Sequence, residues 1–292
     1  MMHLTLSGYF EDSRLPLELI RRNPQVPFPL HTHEFSELVI VLSGTGTHFS
    51  DTDEYTVSAG DAFVIEGNTA HGYRNVNGLV LVNILFDPVR LNVPEADLRE
   101  IPGYRALLTL EPRYRRTHSF GSRLRLNPEQ TARAELLINS LERECREKQP
   151  GYHSLAAAYF MQIIGYLARC FTASESPRTR PILRLADAMT YIEENLDRRI
   201  RIEELVGVSK MSESTLLRAF KKTVGMSPSQ YHLHLRIEMA CDLLTRPELS
   251  ITEVSFRSGF ADSNYFSRQF RKATRRTPRE YRREATSPPA LA

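Results

Sequence analysis

Between Ile202 and Tyr281 the chain repeats itself. Arg218, Phe220, Lys222, Pro228 and Tyr231 recur 50 residues later as Arg268, Phe270, Lys272, Pro278 and Tyr281. Leu216 is answered by Phe266 and Ser227 by Thr277 at the same offset. A fixed period that covers core, charged and turn positions together marks a duplicated supersecondary unit. Each copy opens with a short apolar-periodic helix (Ile202, Leu205, Val206; Ile251, Val254, Phe256) and breaks at Ser209-Lys210-Met211 or Ser258-Gly259-Phe260. A capping residue follows, Ser212 or Asp262, and then a second helix that buries Leu216 and Phe220, or Phe266 and Phe270. Helix, turn, helix is the plan in which the second helix enters the major groove, and two copies can meet the groove about one duplex turn apart.

Charge agrees with that plan. Residues 182–285 hold 19 Lys and Arg against 14 Asp and Glu, whereas the remainder holds 19 against 21. The surplus therefore lies on the repeats, where phosphate binding needs it. No run of 18 apolar residues reads as a membrane span, and the N-terminus lacks the basic and apolar regions of a signal peptide. Cys145, Cys170 and Cys241 form no motif and suit a reducing cytoplasm. At 292 residues and 41% hydrophobic content the chain can support two packed domains.

The segment Gly259-Phe-Ala-Asp-Ser-Asn-Tyr-Phe-Ser-Arg-Gln-Phe-Arg-Lys272, followed by Thr277-Pro-Arg-Glu-Tyr281, resembles the AraC/XylS family of transcription regulators, and the match covers about residues 182–283. Lys210 and Arg275 stand where that family often has Gly, which predicts positive φ at both turns. The core residues leave Ser214, Thr215, Leu217, Arg218 and Lys221 free on the first recognition helix. On the second they leave Ser263, Asn264, Tyr265, Ser267 and Arg268. The resemblance implies base or backbone contacts by Ser214, Leu217, Arg218, Asn264, Ser267 and Arg268. Arg pairs well with guanine and Asn with adenine, while Leu217 suits a thymine methyl. Lys221, Lys222, Arg271 and Lys272 are expected at phosphates or on a solvated face.

The N-terminal part reads differently. Leu38–Leu42, Ala62–Ile65 and Leu79–Phe86 are short β-branched runs separated by Gly-bearing turns, the pattern of a sandwich or barrel. His31-Thr-His33-Glu-Phe-Ser-Glu37 with Gly44, then Gly60 with His71 and Asn75, resembles the two motifs of cupins, across roughly residues 25–86. Glu66 and Asn68 depart from the second motif, where Pro and Gly are usual. Residues 31, 33 and 37 differ by even numbers, so an extended strand turns all three to one face. With His71 they form a candidate quartet for a divalent metal (Zn, Ni, Mn or Fe), for sugar hydroxyls, or for hydrogen bonds within the barrel. Phe28–Val41, Gly44–His48 and Asn77–Leu85 are similar to the L-rhamnose-responsive branch of the family.

Pro128–Lys148 begins with Asn127 as cap and carries one apolar stripe of Ala134, Leu137, Ile138, Leu141 and Cys145, serving either its own domain or subunit pairing. A helix over about His153–Phe171 is apolar nearly all round. Helices are also expected at about Ile182–Leu196 and at Pro228–Leu244, and the tail after Glu284 is expected to be disordered.

The expected architecture is α+β: a cupin jelly-roll over 1–100, a helical dimerisation or relay segment over 101–173, a linker at 174–181, and an all-α double helix-turn-helix domain over 182–285. The expected function is a cytoplasmic, effector-responsive regulator, an activator of sugar catabolism. It would be a homodimer on double-stranded DNA that works with RNA polymerase, without catalysis or a membrane. The competing readings are a metal-dependent cupin enzyme fused to a DNA-binding module, and a constitutive regulator whose barrel is structural.

Overall fold

The computed structural model describes residues 2–286 other than Glu11, Ser13, Thr52, Asn92, 94–96, 116–121 and Glu175. The chain divides into two compact units, residues 1–186 and 187–292. The division falls within a helix, not in the proline-bearing stretch that precedes it.

The first unit is built on a sheet of β1 (Met2–Leu4), β2 (Leu17–Arg22), β3 (Phe28–His33), β4 (Ser36–Phe49), β5 (Glu54–Ser58), β6 (Asp61–Ile65), β7 (His71–Phe86) and β8 (Leu124–Arg125). Its order is β1-β3-β7-β4-β6-β8, with β2 also on β7 and β5 on β4. The three predicted runs lie within β4, β6 and β7. The longest pairing is β4 with β7, antiparallel from Ser36↔Phe86 to Phe49↔Gly72. Its register changes between Val41 and Thr47, where Gly44 and Gly78 pass each other at φ 73° and 56°. A Cβ on Gly44 would lie 2.1 Å from the Gly78 carbonyl oxygen, so that crossing excludes any side chain. Val39, Val41, Val57, Phe63, Leu79 and Leu81 fill the interior.

Helices follow in the same unit: α1 (Leu6–Tyr9) near the start, then α2 (Pro102–Arg105), a π-helical turn over Ala106–Leu110, and α3 (Glu111–Arg115). Next come α4 (Pro128–Glu147) and α5 (Tyr152–Thr172). Asn127 caps α4 as expected, accepting from the Gln130 amide at 2.8 Å while Gln130 Oε1 accepts from the Asn127 amide. Ala134, Ile138 and Leu141 are buried within this unit, so most of the α4 stripe is used in its own packing, while Leu136 stands 69% exposed. By length and composition α5 is apolar enough to cross a membrane. Here Phe160, Ile163, Ile164, Leu167 and Phe171 are buried in the core instead. The return of the chain as β8 onto β6 was not foreseen; a two-residue strand has no readable period.

The second unit contains the end of α6 (Arg180–Glu194), then α7 (Ile202–Ser209), α8 (Glu213–Val224), α9 (Pro228–Leu244), α10 (Ile251–Arg257), α11 (Ser263–Thr274) and α12 (Pro278–Thr286). Of the tail expected to be disordered, Ala285 and Thr286 extend α12 and residues 287–292 lie outside the described residues. The repeat is visible in its contacts. The Phe220 and Tyr231 rings lie 5.6 Å apart, and Phe270 and Tyr281 lie 5.5 Å apart. Ser227 with Gln230, and Thr277 with Glu280, form the same reciprocal cap at the start of α9 and α12. Lys210 and Arg275 take φ of 52° and 64°, as the family comparison predicts.

Arg236 of α9 ties this unit together. Its Nε donates to the Leu196 carbonyl at 2.6 Å and its Nη2 to the Arg198 carbonyl at 2.8 Å, while its guanidinium lies 5.6 Å from the Phe260 ring centre. Gly259 lets the turn approach this clamp: its φ is 82°, and a Cβ there would sit 2.0 Å from the Leu196 oxygen. Gly207, on the exposed side of α7, faces open space. Gly259→Ala is therefore expected to destabilise the protein by at least about 1–3 kcal/mol through backbone strain alone. Gly207→Ala is expected to stabilise it by about 0.5–1 kcal/mol. Thermal melts of both variants check the pair; equal effects would contradict this account of the turn.

Candidate nucleic-acid interface and metal centre

The recognition helices α8 and α11 owe their starts to side-chain caps. Ser212 Oγ accepts from the Thr215 amide, and Asp262 Oδ1 accepts from the amides of Asn264 and Tyr265 at 2.7 and 2.8 Å. Those two N–H groups hold the Asp262 carboxyl below the usual carboxylate range. Leu216, Phe220, Phe266 and Phe270 are buried, which turns the opposite faces outward. Ser214, Leu217, Arg218, Lys221, Asn264, Arg268 and Lys272 are exposed; Thr215, Ser263 and Ser267 are half-buried. All ten predicted reading or phosphate positions thus lie on or beside the open faces.

Local bonds refine the picture. Ser267 Oγ donates to the Ser263 carbonyl at 2.8 Å, so its proton is committed to the helix backbone. Thr215 Oγ1 lies 2.8 Å from Ser212 Oγ. Lys221 Nζ donates to the Gly225 carbonyl at 2.9 Å, placing its charge at the C-terminal end of α8. Arg268 extends over the Tyr265 ring, 6.0 Å from its centre. Arg268, Arg271, Lys272 and Arg275 line one open depression, a cationic surface suited to phosphate oxygens.

In the first unit, β3, β4 and β7 bring His33, Glu37 and His71 together, all buried. Glu37 Oε2 lies 3.1 Å from His33 Nε2 and 3.5 Å from His71 Nε2. Each ring is fixed by its other nitrogen: His33 Nδ1 is 2.6 Å from the Phe35 carbonyl and His71 Nδ1 is 3.0 Å from the Thr69 carbonyl. A carbonyl oxygen only accepts, so each ring carries a proton on Nδ1 and presents Nε2 to Glu37. Burial works to raise the Glu37 carboxyl, yet His33 and His71 hold it well below the usual range. With protons on Nε2 the two rings donate to that carboxylate; with those protons displaced, two lone pairs and a carboxylate facing one point form a donor set that fits a divalent cation.

His31 corrects the predicted quartet. It neighbours the group, its ring centre 4.2 Å from that of His71, but it is not among the side chains whose donor atoms converge. Its Nδ1 turns back to the Pro29 carbonyl at 3.1 Å, and burial pushes its pKa down to about 4. Even spacing put residues 31, 33 and 37 on one face, but it said nothing about depth along the barrel. A second correction concerns the sugar. The cavity before His31, His33, Glu37 and His71 measures about 40 Å³, room for an ion or roughly one to two waters but not for a monosaccharide.

Sequence reasoning missed His48. It is buried, and its ring lies parallel to that of His71 at 5.5 Å and stacks on Tyr55 at 4.9 Å. Its even number argued for the opposite face from Glu37. The register change in β4 reverses that parity and turns His48 inward, opposite Tyr73. The repeated Gly44 and Gly46 before His48 were the available signal of such a break.

Comparisons with known proteins agree with both halves. Residues 205–284 match a family described as a helix-turn-helix domain, and residues 19–84 match a cupin domain. Over 280 residues the chain is 33% identical to the HTH-type transcriptional activator RhaR of Salmonella schwarzengrund, covering 96% of this chain and 95% of that protein. It is 29% identical over 282 residues to the protein of the same description from Mannheimia succiniciproducens, covering 97% of each. Among solved structures, a transcriptional regulator with an AraC-type DNA-binding domain from Chromobacterium violaceum aligns with 36% of this chain and 94% of its own, at 30% identity and a TM-score of 0.34. A duplicated helix-turn-helix, a cupin barrel and 33% identity over nearly the full length to an HTH-type transcriptional activator place this chain in the AraC-type family of helix-turn-helix transcriptional activators.

Proposed function

We propose that the protein is a cytoplasmic, effector-responsive activator of sugar-catabolism genes, of the rhamnose-responsive kind, which binds paired DNA sites as a homodimer and engages RNA polymerase. The observation that carries this reading is the pair of outward faces on α8 and α11, equivalent by the repeat and joined by α9, in a chain that also bears a cupin barrel. Arg218, Ser214 and Leu217 on α8, and Asn264, Ser267 and Arg268 on α11, are the proposed readers. Thr215 and Ser263 flank them, and Lys221 and Lys272 meet phosphates. Retardation of promoter DNA from sugar-catabolism genes, with activation only in the presence of sugar, tests the whole reading.

Arg268→Ala is expected to weaken specific binding by about 1–3 kcal/mol and to relax one base position, whereas Lys272→Ala weakens all DNA alike and lowers the salt slope by about 1. Titrations against operator and random DNA at several salt concentrations separate these effects. An equal loss on both DNAs for Arg268→Ala would remove it from the readers. The α4 stripe is largely occupied within its own unit, so pairing of subunits must use other surface, with the exposed Leu136 a natural part of it. Sedimentation of the intact protein with effector and paired-site DNA should show two chains per duplex; a strict monomer under all conditions would end the dimer proposal.

The cation proposed for His33, Glu37 and His71 is zinc, nickel, manganese or iron, with His48 packed behind His71. Bound there, it would neutralise Glu37 and lock three strands of the barrel to one another. Elemental analysis of protein purified without a histidine tag should find about one ion per chain, and chelation should lower the melting temperature. His33→Ala should abolish both effects. A metal-free preparation whose melting is indifferent to added zinc and to chelator would show that protons, not a metal, hold the site together.

A further inference from the structure

Tyr265 is out of keeping with its surroundings on α11. It is a large aromatic side chain, 44% exposed, on a face otherwise polar: Asn264, Arg268 and Lys272. We propose that Tyr265 is a positioning residue for DNA recognition: braced on Phe260, it holds the Arg268 guanidinium ready to meet a base in the major groove. The proposal rests on the reading of Arg268 as a base reader and adds the side chain that sets its direction.

The brace is a run of four neighbouring groups that leads from the core to the surface. At its inner end Arg236 is bonded to the Leu196 and Arg198 carbonyls and lies 5.6 Å from the Phe260 ring centre. Phe260 is buried; it packs on Phe266 at 5.1 Å and meets the Tyr265 ring at 6.2 Å and 50°. The Arg268 guanidinium then lies 6.0 Å from the Tyr265 ring centre, three residues along the same side of the helix. A guanidinium set over a ring uses its flat face there. Its N–H edge stays available for the two acceptors, O6 and N7, that guanine shows in the major groove. The charge is also turned toward the start of α11. The Tyr265 amide and then the Asn264 amide hold the Asp262 carboxyl below its ordinary range, and the positive charge of Arg268 adds to the effect. Recognition helices meet base edges with their N-terminal residues, so this is the end at which a reader belongs.

The repeat supplies the contrast. At the same offset of 50 residues, Thr215 stands where the second copy has Tyr265, and Lys210 where it has Phe260. Thr215 Oγ1 is bonded with Ser212 Oγ, and among the described residues no aromatic ring lies within cation–π reach of Arg218. The first copy caps, packs and presents its arginine without a brace, so the fold itself does not require one. What the brace changes is binding. A long arginine side chain gives up rotamer freedom when it docks, and a neighbour that narrows this freedom beforehand lowers that cost for the base it faces.

The intact chain first selects a duplex from a randomised pool. That duplex, its single-base substitutions and a scrambled duplex are then titrated with Tyr265→Leu, Tyr265→Ala, Tyr265→Phe, Arg268→Ala and the double variant Tyr265→Leu/Arg268→Ala. Tyr265→Leu should weaken the selected duplex by roughly two- to fivefold, the scale of one exposed cation–π contact. The loss should fall at the base position that Arg268→Ala relaxes, with the scrambled duplex and the salt slope unchanged. Tyr265→Phe keeps the ring and should match the wild type. Once Arg268 is Ala, Tyr265→Leu should cost nothing further. Tyr265→Ala repeats the measurement, and thermal melts identify a variant that does not fold. Four results would each overturn the brace: no loss in Tyr265→Leu and Tyr265→Ala, an equal loss on scrambled DNA, a loss in Tyr265→Phe as large as in Tyr265→Leu, or additive losses in the double variant. A selective loss for Arg268→Ala with wild-type behaviour of the Tyr265 variants indicts the brace alone. An equal loss on both duplexes for Arg268→Ala, or failure to enrich any duplex, indicts the reading beneath it.

Discussion

The first unit depends on the pairing of β4 with β7. These strands of 14 and 16 residues carry Glu37 and His48 on one side and His71 and Tyr73 on the other. A sheet side chain changes face with every residue, so a single step of register decides what enters the barrel. Here the step occurs midway, at the crossing of Gly44 and Gly78. Before it the odd residues of β4 (Glu37, Val39, Val41) are interior; after it His48 is. Without that shift His48 would face outward and the polar cluster would lose the ring stacked behind His71.

The cluster shows how buried imidazoles are arranged to meet a charge. Backbone carbonyls of Phe35 and Thr69 orient two imidazoles through Nδ1, and the carboxylate of Glu37 meets the Nε2 of each. Burial disfavours an isolated carboxylate, but these partners outweigh it and keep Glu37 ionised. The space in front is small. The cluster is therefore suited to holding strands together.

The second unit solves a different problem, namely how two short helix-turn-helix motifs obtain one core. Helix α9 supplies Ile237, Ala240 and Leu244 to the second motif's interior, while Arg236 on the same helix bonds the carbonyls that end the segment after α6. Reciprocal caps at α9 and α12 and paired Phe–Tyr contacts occur once in each repeat. Core and caps set the tilt of α8 and α11, which leaves the charged faces to be chosen by DNA.

Much of this was legible in the chain. A 50-residue period, caps with an acceptor side chain, and 3.6-residue apolar spacing are local in sequence, so the helices α4 to α11 and the outward faces of α8 and α11 could be read directly. Positive φ at Lys210 and Arg275 followed from the resemblance, because both stand where that family often has Gly. Even spacing along one expected strand placed His31, His33 and Glu37 on one face, although the structure breaks that run at Glu34 and Phe35 into β3 and β4. Depth, register and volume were not readable, because they arise from pairing between strands far apart in the chain. His31 fell away from the converging atoms, His48 packed behind His71, and the space beside them proved too small for a sugar. A cavity of about 370 Å³ between the barrel wall and α5 is likewise tertiary: Glu66, Arg99, Arg113 and Phe160 share no motif and meet only when the helices close on the barrel. Sequence determined which elements form and which residues each turns outward; the three-dimensional fold alone decided what those elements enclose.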